Sequence, residues 1–327
     1  MTRPLVRQAA LGVFGIALAL LSPGCQGPRL APRAADVVAV RSTAEPASAR
    51  GMWVWSTKNR LGDPMGTSSL LETCRIAGLN EVYLSVNGGV LTDERLPAFV
   101  LALRDRGIRV EALMGEATWY RPDARAPMFA MIDAVAAYDA RHPRARFAAI
   151  HLDVEPHQIP ENKGNHAFLP DLAQTLREAT AHAAVRGLGS SADLPRFALD
   201  EHGPAFAAAV DRPFVMLYQL RDRSLDWLMR QSTSVLAHTY PGASSDLASR
   251  LVVGLRVDDY PADLEAMLGA LDQGHGGRAR YAGWAVHDEA RFRARNVTRV
   301  AERHGHDALR GPGDGARTKD VESSPLR

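Results

Sequence analysis

The chain has 327 residues, 46% of them apolar and 23% charged, proportions that allow a sizeable folded core. Its formal net charge of +2 excludes a broadly basic surface, so no nucleic-acid partner is expected. The sequence shows no Walker A loop, no GxGxxG after a strand and no CxxC pair.

The first residues read as a targeting segment. Arg3 and Arg7 supply charge, and Ala9 to Leu21 form an apolar run too short to span a bilayer. Ser22-Pro-Gly-Cys25 follows and resembles the lipobox of bacterial lipoproteins, with Ser22 where Leu is usual. That resemblance implies a signal peptide over 1–25 and a membrane anchor through lipid on Cys25. Gln26, in place of Asp, implies the periplasmic face of the outer membrane. An ordinary cleaved signal peptide with an incidental Cys25 is the alternative. Cys74 is then left without a partner and reads as a buried thiol on an apolar helix face. Residues 26–50, rich in Pro, Ala and Arg, read as a flexible tether.

From Gly51 the pattern alternates. Gly51 to Trp55 reads as strand, and Ser69-Leu-Leu-Glu72 as a capping box opening a helix that Gly78 stops. Strands follow at 81–86, 108–114 and 147–155, separated by helices at 96–106 and 127–140 whose apolar residues fall on one face. A long connection at 158–165 leads to a helix at about 170–186. Then come a short strand at 189–193, a short helix at 204–210, a strand at 214–218 and a helix from Ser224, its cap. Strands at 251–257 and 281–286 each precede a helix, one opening at Pro261 and one at Asp288. The tail from 305 is polar and reads as disordered. Eight strand–helix units in one domain, residues 51–304, predict a (β/α)8 TIM barrel of the α/β class, with a doubly wound open sheet as the alternative.

One stretch concentrates the chemistry: Phe147-Ala-Ala-Ile-His-Leu-Asp-Val-Glu-Pro-His157. Residues two apart on a strand share a face, so His151, Asp153 and Glu155 project together, and Pro156 ends the strand. Adjacent carboxyl groups push one pKa up, which suits a general acid. Glu155 is therefore the expected proton donor and Asp153 its partner. In barrel enzymes chemistry sits at the C-terminal strand ends. Those ends offer Trp53 and Trp55, Asn87, Glu116, Asp193, Tyr218, Arg221 and Asp222, Asp258, and Trp284 with His287. Carboxyl groups among aromatic rings suit a sugar, whose flat faces stack on rings and whose cleavage needs a proton on the leaving oxygen.

The His151-x-Asp-x-Glu155 strand end resembles the DxDxE signature of chitinase-like, family 18 glycoside hydrolases, with His151 at the first acidic position. Met216-Leu-Tyr218 resembles that family's Met-x-Tyr, and Trp284 stands where the family carries a Trp beneath the sugar. The resemblance implies Glu155 as acid/base, with Asp153 and Tyr218 holding the substrate group that acts as nucleophile. The expected activity is glycoside hydrolysis of a poly- or oligosaccharide, with catalytic Glu155, Asp153 and Tyr218 and no cofactor or metal. His151, Trp53, Trp55, Asn87, Glu116, Asp193, Asp258 and Trp284 are the expected substrate-binding residues, and a monomer is expected. Asp258 is the best-placed carboxylate for a second mechanism with a nucleophile across the barrel. A metal-dependent hydrolase or phosphodiesterase, using His151, Asp153, Glu155, His157 and His287, and a non-catalytic lipid-anchored carbohydrate-binding protein are the other readings.

Overall fold

The computed structural model describes residues 48–218, 224–241, 250–260, 263–277 and 280–296. The expected signal peptide with Cys25, nearly all of the tether, Arg221, Asp222, Pro261 and the tail from 305 lie outside the described residues.

Eight parallel strands pair in chain order and close into a barrel. They are β1 (Ala49–Val54), β2 (Glu81–Ser85), β3 (Arg109–Met114), β4 (Ala149–Leu152), β5 (Gly189–Pro195), β6 (Arg212–Met216), β7 (Leu251–Arg256) and β8 (Tyr281–His287). Helices α1 (Thr57–Gly62) and α2 (Gly66–Ala77) follow β1. After β2 to β7 come, in turn, α3 (Leu96–Arg104), α4 (Ala126–Arg141), α5 (Leu169–Ala184), α6 (Arg196–Ala207), α7 (Leu225–Thr239) and α8 (Leu264–His275). Residues 289–296 are helical after β8. Closure is direct: Gly51 of β1 lies in register with Ala285 of β8, and Trp53 with Tyr83 of β2.

Strand parity divides the core into two. Met52, Val54, Val82, Leu84, Val110, Ile150, Val253 and Val286 face outward and join the helices in a single apolar cluster. Each such aliphatic side chain contributes about 1.5–3 kcal/mol through burial. Trp53, Tyr83, Leu113, Phe214, Val252 and Ala285 form a separate cluster inside the barrel. Glycine is needed where these layers meet closely: a Cβ on Gly51 would lie 2.0 Å from the Tyr83 hydroxyl.

Local signals place most boundaries. Gly78 takes a left-handed φ of 62° and closes α2, as expected. Ser224 caps α7 by accepting from the Trp227 amide, and Asp288 accepts from the Arg291 amide at 3.0 Å to open the last helix. Three expectations need correction. Ser69 is not a cap, because α2 already begins at Gly66; Glu72 instead binds Arg75 on the exposed helix surface. The tether ends earlier than expected, since Ala49 pairs with Gly283 as part of β1. The helix after β5 starts at Arg196 rather than Pro204, and Pro204 sits beyond a non-helical His202 that breaks it. Cys74 is buried, and desolvation pushes its thiol up to about 12.

Candidate active site

The barrel interior is polar from its floor to its mouth. At the floor, Arg212 of β6 donates to both oxygens of Glu81 on β2, at 2.9 and 2.5 Å. Tyr83 donates its hydroxyl to the same carboxylate at 3.1 Å. Arg109 donates to Glu111 at 2.9 Å.

One level up, Glu111, Ser191 and His151 meet. Ser191 donates to Glu111 at 2.6 Å and lies 2.7 Å from Nδ1 of His151. Nε2 of His151 lies 3.0 Å from Oδ2 of Asp193, and the same oxygen accepts from the Trp53 indole at 2.9 Å. Tyr83 stacks on the imidazole with ring centres 4.4 Å apart, and Phe214 meets it edge-on at 4.7 Å. Burial opposes a charge on His151, but Asp193 and Glu111 outweigh it and raise its pKa to about 9. Burial likewise opposes ionisation of Glu111, yet Arg212, His151 and Arg109 hold it well below the usual carboxylate range. The interior therefore carries a charged chain: guanidinium, carboxylate, imidazolium, carboxylate.

At the mouth this chain meets the strand-four carboxyls. Leu152 is in register with Ala192, so one step further Asp153 and Asp193 stand at matching positions on neighbouring strands. Burial and the nearby Asp193 and Glu155 raise Asp153 well above the ordinary value. Asp153 and Asp193 each keep one buried oxygen with no hydrogen-bond partner among the described residues. Glu155 follows on the turn after β4. Burial and the charge of Asp193 raise its pKa to about 7, against the hydrogen bond from Gln158. Its other oxygen faces Nε2 of His157 at 3.5 Å. Strand four can end this way because Gly115 passes tightly beside it: a Cβ there would lie 1.8 Å from the Asp153 carbonyl oxygen.

Tyr218 sits two residues beyond β6, half-buried. Burial first, then the neighbouring Asp193, Asp153 and Glu155, push its pKa well above the ordinary tyrosine value. Its ring lies 5.6 Å from His287, and His287 accepts from the Trp55 indole at 2.9 Å. Trp55 is 37% exposed and forms an aromatic edge with these two rings. Among the described residues no three His, Cys, Asp or Glu side chains converge as a metal site.

Six of the expected residues thus come together: Trp53, His151, Asp153, Glu155, Asp193 and Tyr218. Trp55 joins them through His287. Two of the six have a different place from the one expected. His151 and Trp53 are fully buried beneath the carboxyls, so they support Asp193 and do not line the cleft.

Trp284 is a correction. Ala285 belongs to the interior cluster, so its neighbour Trp284 points the other way, into the helix-facing core. Asp258 is exposed and paired with Arg291, away from the interior chain. Glu116 is exposed at the start of a short turn, and Asn87 is half-buried. Glu81, Tyr83, Glu111, Ser191 and Arg212 were missed by the sequence reading. Their signal was present: polar residues at alternate positions of otherwise apolar strands, as in Glu81-Val-Tyr-Leu-Ser85 and Arg109-Val-Glu111.

The fold and site define a closed (β/α)8 barrel with an acidic motif after its fourth strand, at the C-terminal mouth. Among solved structures, a GH18 chitinase from Pseudoalteromonas aurantia superposes with a TM-score of 0.52 at 12% identity, covering 78% of this chain and 99% of its own. The PgaB (BpsB) glycoside hydrolase domain from Bordetella bronchiseptica gives 0.48 at 13% identity, covering 81% and 98%. A chitinase from Chromobacterium violaceum gives 0.47 at 12%, covering 78% and 99%. No protein-family model matches the sequence, and no curated protein is similar to it in sequence.

Proposed function

We propose that the protein is a glycoside hydrolase acting on a poly- or oligosaccharide, with Glu155 as general acid/base, Asp153 as its partner and Tyr218 positioning the substrate. The observation that carries this reading is Glu155 itself. It is a half-buried carboxyl at a barrel mouth, held near pKa 7 by burial and Asp193. A group so tuned carries a proton at neutral pH and can give it to a leaving oxygen. Burial beside Asp193 and Glu155 favours the protonated form of Asp153, which suits it to donating a hydrogen bond to a substrate acceptor. Trp55, with Tyr218 and His287, offers a ring surface for a sugar face. The likeness in fold to a GH18 chitinase supports a carbohydrate substrate. Where that family has its first acidic residue the chain has His151, and Asp193 from the next strand brings a carboxylate within 3.0 Å of it. We place the protein as a monomer at the periplasmic face of the outer membrane, anchored through Cys25.

The test is a hydrolysis screen of the protein against cell-wall and storage glycans, with and without a chelator, beside Glu155→Gln. Chelator-insensitive release of sugar that disappears in the variant supports the acid role. Chelator-sensitive cleavage moves the assignment to a metal hydrolase. Glycan binding without cleavage in both forms moves it to a carbohydrate-binding protein.

A further inference from the structure

The opposite end of the barrel carries a second candidate site, independent of the chemistry at the mouth. Two loops lead into β3 and β4 there, with the sequences Arg104-Asp-Arg-Gly-Ile-Arg109 and Arg141-His-Pro-Arg-Ala-Arg146. Between them lies a cavity of about 420 Å³, within the size range of small-ligand sites, about 300–1,000 Å³. Arg104, Arg109 and Arg146 line it together with the apolar Ile108, Val110 and Phe147, and no acidic residue lines it.

The three guanidinium groups are only partly engaged. Arg104 donates to the Arg146 carbonyl at 2.5 Å and has no ion pair among the described residues. Arg109 uses Nε on Glu111, and its two terminal nitrogens have no hydrogen-bond partner among the described residues. Arg146 faces Asp139 at 3.7 Å, beyond good hydrogen-bond reach, and its side chain is 46% exposed. A guanidinium carries five donors in a planar fork that matches phosphate oxygens. Three such forks around one cavity outnumber the acceptors they meet. Arg106, Arg141 and Arg144 are exposed on the same two loops, with Asp105 the one acidic residue among 104–109 and 141–146. Both loops start strands, so this is the N-terminal face, where the chain also enters the barrel at Ala49.

We propose that this cavity binds a phosphate group through Arg104, Arg109 and Arg146. Two sources present that chemistry on this face: an anionic lipid headgroup and soluble phosphate. Titration calorimetry of the full-length chain with inorganic phosphate, beside the double variant Arg104→Gln, Arg146→Gln, tests the site. Arg109 is left intact because it also pairs with Glu111. The expected result is binding weakened by at least about tenfold in the double variant, the effect of losing charge-assisted hydrogen bonds. Arg144→Gln, outside the cavity, keeps wild-type affinity and controls for general charge.

Co-sedimentation with vesicles of phosphatidylglycerol and phosphatidylcholine, against phosphatidylcholine alone, separates the sources. Wild type and variant share the same leader, so a difference between them reads the cavity. Lower phosphatidylglycerol binding in the double variant identifies the lipid headgroup, and equal vesicle binding with weaker phosphate binding identifies soluble phosphate. Phosphate binding that is undetectable in the wild type, or equal in the double variant while both melt alike, overturns the proposal.

Discussion

His151 and Asp193 face each other across adjacent strands at 3.0 Å, and neither side chain is open to solvent. The imidazole is charged because Asp193 and Glu111 flank it, so the pair couples the mouth to the floor. The folded pKa of about 9 lies above the ordinary 6.5. The stabilisation it gives is therefore complete below about pH 6.5 and is lost as pH rises through about 9. Thermal melts across that window should fall in the wild type. Asp193→Asn should move the imidazole titration to lower pH in an NMR titration, and an unmoved titration would argue against the coupling.

Glu155 should set the alkaline limb of activity. Its proton is lost near pH 7, so turnover should fall above that value. Glu155→Gln should lower kcat by about 10²–10⁴-fold, the range for removing a general acid, with glycan affinity retained. A pH–rate profile of the wild type and single-turnover rates of the variant check this.

Arg212 neutralises Glu81 directly and lies 3.9 Å from Glu111. Arg212→Met should cost about 3–5 kcal/mol, because it leaves the buried Glu81 carboxylate without its cation. Replacing both partners, with Glu81→Gln added, should recover part of that loss. Urea unfolding of the two variants measures it, and equal losses would indicate that packing dominates.

Gly115 and Gly62 make an internal comparison. A Cβ at 115 meets the Asp153 carbonyl at 1.8 Å, whereas one at 62 meets nothing within 4 Å. Gly115→Ala should push the end of β4 aside, lowering both melting temperature and turnover. Gly62→Ala should leave turnover at the wild-type level.

Trp284 distinguishes two placements of one ring. A core residue truncated to Ala should cost about 3–5 kcal/mol, and glycan affinity measured below the melting temperature should not change. A large loss of affinity in a still-folded Trp284→Ala would return the ring to the cleft.

The barrel was legible because its signals are local and repeated. Each strand carries β-branched or aliphatic residues, each helix a single apolar face, and glycine or a cap marks many of the ends. The Asp153–Glu155 pair was legible because the two stand close in sequence just past an apolar run, although β4 ends at Leu152 and Glu155 lies on the turn beyond it. The interior chain was harder to see because its partners come from different strands: Glu81 and Arg212 are 131 residues apart. Spacing along one strand does not say which residue of another stands opposite. Trp284 misled because it stands on the last strand, where the family carries a Trp, while the parity of β8 turns it outward. The helix at Arg196 was hidden by Pro204, which breaks it partway, so only its second part showed a start signal.

The pairing of Glu81 with Arg212 has a consequence for how the chain comes into being. Glu81 is laid down on the second strand, yet its cation belongs to the sixth. Glu111, on the third, draws on the same guanidinium and on His151 of the fourth. A nascent chain halted before Arg212 would have to bury Glu81 without its guanidinium, so it has reason to leave its first strands open to water. The first half of the barrel is thus an unfinished circuit, and synthesis of the sixth strand is the moment at which it can close.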